Sequence, residues 1–254
     1  MCFDFDSEPP IPVISGGAVG HDDLVLAAAD GARFAAFSAT PVEPNGIGIV
    51  VLPDIRGLYH FYEELALRFA ERGYPAVAMD YFGRTAGVSK RDEHFDWAPQ
   101  VALTAPETIQ ADVRACVEYL RSPAGCSCRA VLTVGFCFGG RHSWLSAAGG
   151  HGLAGAVGFY GQPGIRNGQP GPVQLAAQLA APILALQAGA DEHIAPADNA
   201  ALESALTAAG VEHEIVTYAG APHSFFDRSY EQHAEASADA WRRVLDFVDR
   251  CAGR

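Results

Sequence analysis

Two textures alternate along the chain: short continuous apolar runs, and stretches whose apolar residues fall three and four apart. The clearest run is 46–52, Gly-Ile-Gly-Ile-Val-Val-Leu, which reads as a strand buried on both faces. Leu58, Phe61, Tyr62, Leu65 and Phe69 follow at helical spacing, with Gly73 placed to end that helix. Residues 75–79 read as the next strand. Ile109, Val113, Cys116, Val117 and Leu120 mark one face of a further helix. Its start, Thr104-Ala105-Pro106-Glu107, has the form of a capping box with proline in the first turn. More strands are predicted at 131–136, 153–160, 182–187 and 214–218, and a last helix with Ala234, Ala238, Trp241, Leu245 and Val248 on one side. Ahead of this alternation, 24–29 and 33–38 flank Asp30-Gly31, a hairpin signal.

Strands alternating with helices imply a mostly parallel sheet of about eight strands, joined by right-handed crossovers, with helices on both faces. Residues 1–20 read as a loosely held arm, and 21–254 as one α/β domain without internal repeat or linker. Two stretches escape the pattern: 83–103, with Arg84, Arg91, His94, Phe95 and Trp97, and 161–172, rich in Gly, Pro and Gln. Loops at the carboxyl ends of parallel strands build ligand sites, so 83–103 is the expected pocket cover.

Composition narrows the partners more than the chemistry. The chain has 254 residues, 49% of them apolar, and a formal charge of −13. That charge argues against nucleic acid or an anionic membrane surface as a partner, and it leaves capture of any anion to local arginines. The six cysteines do not read as a disulfide framework in so core-rich a chain, and Cys126-Ser-Cys128 lacks the spacing of a zinc site. The first residues carry no basic segment followed by an apolar one, and no run approaches the ~18 apolar residues of a membrane span, so the expected compartment is the cytoplasm.

The chemistry lies in Val134-Gly-Phe-Cys-Phe-Gly-Gly140, the G-x-nucleophile-x-G pattern of a strand-to-helix elbow, with Cys137 as the nucleophile. Gly135 and Gly139 supply the small residues that so sharp a turn demands. At a helix N-terminus a thiolate gains from the helix dipole, and a histidine can take the thiol proton. Asp191 and His223 follow in order, each just beyond its own apolar strand, and nucleophile, acid, histidine is the chain order of α/β-hydrolases. Glu192 and Asp198 compete with Asp191 but lie further from the strand end. Of the other histidines, His142 and His193 read as surface or packing residues. The oxyanion needs two donors, for which the amides of Phe138 and Ile55 are placed. No metal-binding cluster, dinucleotide fingerprint or P-loop is present, so no cofactor is expected.

With these residues assembled, the chain resembles the dienelactone hydrolase (carboxymethylenebutenolidase) family, a cysteine-dependent branch of the α/β-hydrolases. The matching segments are P-D-I-R-G (53–57), R-G-Y-P-A-V-A-M-D-Y-F-G-R (72–84), G-F-C-F-G-G (135–140), G-A-D (189–191) and P-H-S-F (222–225). The resemblance implies a Cys137–His223–Asp191 triad, an oxyanion hole from Ile55 and Phe138, and opening of an enol-lactone to a keto acid in aromatic breakdown. It also implies a carboxylate that pairs with the resting thiol, here Asp54 where the family has glutamate, leaving His223 as the other candidate base. A substrate carboxylate would be held by two arginines. Arg84 matches the first, while Asp227 occupies the second position, with Arg228 and Arg141 as possible substitutes.

The leading expectation is a cysteine hydrolase of a small lactone or ester, working through an acyl-thioester, as monomer or homodimer. The alternatives are a broad carboxylesterase or thioesterase and, from another class, a non-catalytic ligand-binding or redox-sensing relative.

Overall fold

The computed structural model, which describes residues 3–4, 6–14 and 19–253, turns the apolar runs into strands of one sheet. These are β1 (Val19–Ala27), β2 (Arg33–Pro41), β3 (Ile47–Leu52), β4 (Ala76–Met79), β5 (Ala130–Phe136), β6 (Gly155–Phe159), β7 (Ile183–Ala188) and β8 (His213–Tyr218). Their order across the sheet is β1-β2-β4-β3-β5-β6-β7-β8. The β1–β2 and β2–β4 pairs are antiparallel, and every later pair is parallel. The expected hairpin turns at Gly31, whose φ of +86° suits a residue without a side chain.

Helices cover both faces. They are α1 (His60–Ala70), α2 (Gly83–Ala86), α3 (Trp97–Ala102), α4 (Pro106–Arg121), α5 (Phe138–Ser146), α6 (Pro172–Leu175), α7 (Pro196–Ala209) and α8 (Ala234–Ala252). Alternation along β3 explains the two layers: Ile49 and Val51 join the core with α1 and α8, while Val50 and Leu52 pack with α4. On that second face, further along the sheet, Trp144 of α5 and Leu202 and Leu206 of α7 cover β6 and β7. The chain leaves β3 toward β4 on one side and reaches β5 on the other. Carboxyl ends of parallel strands diverge at such a switch point and leave a crevice there.

Three expectations about local detail are corrected. The capping box at Thr104 does not form: the Thr104 hydroxyl donates to the Val101 carbonyl at 2.8 Å, closing α3, and Ala105 opens α4 with Pro106 in its first turn. A threonine side chain between two helices can serve either one, and the preceding turn wins. On α8 Trp241, Leu245 and Val248 pack on the core as expected, but the buried stripe runs through Ser237, Ala240, Val244, Phe247 and Cys251, and Ala234 and Ala238 face solvent. Phe247 fixes this rotation by seating on Gly155 of β6, where an added Cβ would lie 2.7 Å from its ring.

The described part of the arm is docked rather than loose. Phe3 stacks on Phe61 with ring centroids 4.0 Å apart, and Ile11 is 1% exposed. The Ser7 hydroxyl donates to Asp227 at 2.6 Å, and the Arg228 amide donates to the Glu8 carbonyl at 3.0 Å. Isolated apolar anchors in an acidic, proline-bearing stretch show no periodicity, so only the docked form reveals them. Cys2 lies outside the described residues.

Candidate active site

The chain reverses sharply at the end of β5. Cys137 has φ +54° and ψ −110°, a conformation that a residue with a side chain adopts only when its surroundings impose it. The surroundings are close: a Cβ on Gly135 would meet the Gly139 carbonyl oxygen at 2.0 Å, and one on Gly139 would meet that of Leu52 at 2.1 Å. The two glycines let β5, α5 and β3 approach, and the Cys137 amide donates to the Phe159 carbonyl at 3.0 Å, tying the elbow to β6. Cys137 is left half-buried at the head of α5, on the wall of a cavity of about 960 Å³.

His223 and Asp191 reach the same place from the ends of β8 and β7. The His223 Nδ1 donates to Asp191 Oδ2 at 2.7 Å, while Asp191 Oδ1 accepts the His193 amide at 2.8 Å, so the carboxylate is held on both oxygens. The Cys137 sulfur hydrogen-bonds the same imidazole. Burial alone would push the His223 ring down; its bonds to Asp191 and Cys137 outweigh burial and raise it to about 9. Burial also opposes charge on Asp191, yet the His223 bond and the His193 amide hold its carboxyl below the ordinary value. The imidazole therefore stands protonated between an anion and a sulfur, the arrangement that can move a proton to and from a thiol.

Of the two competing acids, Glu192 is exposed on the cavity wall, and the Asp198 carboxylate accepts the Ala195 amide at the start of α7. Ile55 and Phe138, the expected oxyanion donors, both line the cavity beside Cys137. The second half of 83–103 contributes Trp97 and Val101 to the wall, and 161–172 contributes Gln162, Arg166 and Gln169.

The charged residues expected around the centre are arranged differently. Asp54 is 1% exposed, and its carboxylate accepts from Arg56 at 2.9 Å and from the Tyr59 hydroxyl at 2.8 Å, with the Arg56 amide adding a third bond. It is thus occupied with cations and hydroxyls of its own loop, and the thiol's partner is His223. Arg84, expected to hold a substrate carboxylate, is not among the cavity-lining residues; it pairs with Asp30 at 2.6 Å and Asp112 at 2.8 Å. Arg228 pairs with Glu8 on the outer side of the docked arm, away from this cavity. Asp227 is buried there too, holding Ser7 and the Ser229 amide, so it faces no substrate.

Arg141 does line the cavity, but as a staple. Its guanidinium donates to carbonyl groups of 161–172: Gln162 at 3.0 Å, Pro170 at 2.8 Å, Gln169 at 3.2 Å, and Gly164. Burial, with the charge of Arg166 adding, pushes it down to about 10. Sequence reasoning missed Phe3 of the arm, and set aside His142 and His193, all of which line the cavity. His142 was within reach of inference: it lies four residues after Phe138 on the elbow helix, hence on the same face.

A largely parallel sheet that brings a cysteine, an aspartate and a histidine together, in that chain order, at the carboxyl ends of β5, β7 and β8 has the form of an α/β-hydrolase. More narrowly, residues 34–252 match the model of the dienelactone hydrolase family, and the chain belongs to that family as a hydrolase acting on ester bonds. It is 29% identical over 245 residues to a protein of Escherichia coli strain K12 named as a candidate carboxymethylenebutenolidase, covering 92% of this chain and 90% of that one. A protein of Methylorubrum extorquens with the same name is 30% identical over 218 residues, covering 84% of this chain and 75% of its own. The crystal structure of a candidate dienelactone hydrolase from Klebsiella pneumoniae subsp. pneumoniae MGH 78578 superposes with a TM-score of 0.80. It is 29% identical and covers 91% of this chain and 99% of its own. Among the described residues, no helix is long and apolar enough to cross a membrane.

Proposed function

We propose that the protein hydrolyses a small lactone or ester through an acyl-thioester on Cys137. The observation that carries this reading is the single imidazole of His223, bonded at once to Asp191 at 2.7 Å and to the Cys137 sulfur. Cys137 attacks the carbonyl carbon while its proton resides on His223. The oxyanion of the tetrahedral intermediate is met by the amides of Ile55 and Phe138. As the C–O bond breaks, His223 returns the proton to the departing oxygen; in a lactone that oxygen remains tethered to the acyl group. Water then gives a proton to His223 and adds to the thioester, and collapse of the second intermediate releases the acid and restores the thiol. Asp191 orients the ring and stabilises its charged form throughout.

Asp54, bonded to Arg56 and Tyr59, is ill-placed to take the thiol proton, which favours His223 as the base. The engagement of Arg84 by Asp30 and Asp112 supports a second reading of the substrate, a broader range of esters with no fixed carboxylate. Hydrolysis of cis- and trans-dienelactone beside short p-nitrophenyl esters, with Cys137→Ala as control, separates the two. Rapid lactone opening lost in the variant supports the narrow reading, and ester cleavage alone supports the broad one. Turnover that persists in Cys137→Ala removes the thioester mechanism. The same reading takes a small-molecule lactone or ester as the substrate and the cytoplasm as the compartment.

A further inference from the structure

Among the described residues three arginines line the cavity, Arg56, Arg141 and Arg166, and they are held in different ways. Arg56 is neutralised by Asp54 at 2.9 Å. Arg141 is 5% exposed and bonds carbonyl and amide oxygens, which satisfy its hydrogens and leave its charge without a counter-ion. Arg166 is exposed on the wall, near enough to Arg141 for the two charges to repel. Among the described residues neither of these two has a carboxylate within ion-pair distance, although Asp4 and Glu192 stand elsewhere on the same wall. Adjacent like charges in a partly dry cavity are costly until an opposite charge meets them. In a chain with 30 acidic side chains against 17 basic ones, this corner of the wall takes its counter-charge from a ligand.

The backbone beneath Arg166 is fixed. Arg166 and Gln169 exchange both backbone hydrogen bonds, at 3.1 and 2.9 Å, around Asn167-Gly168. The φ values of those two residues, +50° and +74°, give the tight hairpin turn that an Asn-Gly pair favours. Arg141 clamps the hairpin from below, through the carbonyls of Gln162 and Gly164 ahead of it and of Gln169 and Pro170 after it. A free guanidinium on a base already ordered binds at a smaller entropic cost than one on a loose loop.

We propose that Arg166 is a specificity-determining residue: from the hairpin that Arg141 clamps, it binds a carboxylate borne by the substrate. The proposal rests on the Cys137 chemistry given above and names the charge recognition that Arg84 and Arg228, engaged elsewhere, do not supply. Arg141 is a positioning residue, since its hydrogens are committed to the hairpin and its charge acts through space. It stands one helical turn after Cys137, about 6 Å along α5, so a single side chain joins the helix of the nucleophile to the hairpin. That link holds the carboxylate at a set distance, several bonds from the reacting carbonyl.

Two pairs of esters test this, each pair differing by one negative charge. Mono-p-nitrophenyl adipate against its methyl ester carries the charge on the acyl part, and 4-acetoxybenzoate against its methyl ester carries it on the alcohol part. In at least one pair the wild-type enzyme is expected to favour the anion by roughly 5–30-fold in kcat/KM, through KM, the worth of a charge-assisted hydrogen bond at a partly exposed head. Arg166→Gln brings that ratio near one, Arg166→Lys recovers part of it, and added salt shrinks it in the wild type. Arg33→Gln, which removes an exposed charge outside the cavity, keeps the ratio. Unfolding midpoints check that each variant folds. Binding is read apart from turnover by NMR of labelled arginine in the Cys137→Ala protein, the Arg166 signal being identified by its loss in the double variant with Arg166→Gln. That signal is expected to move with monomethyl adipate and not with dimethyl adipate. Turnover that survives in Cys137→Ala is a separate failure, that of the mechanism. A wild-type enzyme without preference in either pair, a preference that survives Arg166→Gln or is lost equally in Arg33→Gln, or an Arg166 signal indifferent to the anion overturns the proposal.

Discussion

The proposed reaction centre and the arginines expected around it are built by different rules. Cys137, Asp191 and His223 each sit within a few residues of a strand's carboxyl end, so the parallel register of β5, β7 and β8 carries them to one point. Arg84, Arg91, Arg141 and Arg228 sit on loops, short helices or the first turns of α5, and each is claimed by whatever acceptor lies nearest: two carboxylates, a buried aspartate, a set of loop carbonyls, the arm. The difference teaches that a position at a strand end fixes a role, while a charge in a loop acquires its role from its partners. It also locates recognition. With those four guanidiniums held by protein partners, the other charged groups on the cavity wall are Asp4, Arg56, Arg166 and Glu192, set among aromatic rings and polar uncharged side chains.

If the centre acts as one unit, its variants fail together and by the largest factor. Cys137→Ala is expected to reduce ester turnover by roughly 10³-fold or more, measured as p-nitrophenolate release. Asp191→Asn, which keeps the shape but not the charge that holds the ring, is expected to cost about 10²–10⁴-fold. A loss of only a few fold in either would dissolve the distinction between centre and surroundings.

A buried arginine outside the centre, Arg91, should act on stability instead. Arg91 pairs with Asp80 at 2.7 Å where both side chains are nearly sealed from solvent, and Asp80 in turn accepts the amides of Leu58 and Phe82. Arg91→Met leaves that carboxylate buried without its cation, and burial already pushes it toward the neutral form. The expected cost is about 3–5 kcal/mol, seen as a lowered midpoint in thermal unfolding.

Protonation sharpens the contrast further. His223 holds its proton to about 9 in the folded chain against an ordinary 6.5, so the folded state binds this proton more tightly than the unfolded one. The stabilisation it confers is complete below the ordinary value, declines across that interval and is gone above about 9. Thermal midpoints of the wild type should therefore fall over this range relative to His223→Gln, and activity should fall as the imidazolium is lost. Cys137→Ala should lower the His223 titration followed by NMR, because the sulfur is one of the two groups that raise it.

The smallest effect on activity is expected from Arg84→Met. If its pairing with Asp30 and Asp112 is its whole role, KM for anionic and neutral esters should change within about twofold, while stability falls by about 1–3 kcal/mol because Asp112 is buried beside it. A selective rise in KM for anionic esters would return Arg84 to the substrate and erase the comparison.

Sequence by itself determined the sheet, the elbow and which cysteine, aspartate and histidine meet at the strand ends. Buried parallel strands must be apolar throughout, a turn as tight as that at Cys137 admits only small neighbours, and chain order is preserved whatever the loops do. Those are one-dimensional signals with a local physical cause. The rotation of α8 onto Gly155, the docking of Phe3 and Ser7, the engagement of Asp54, Arg84 and Arg141, and the burial of His142 on the cavity wall were decided only by tertiary structure. Each depends on which groups residues far apart in the chain bring within a few ångströms, and a charge or a ring carries no mark in the sequence of the partner that will meet it.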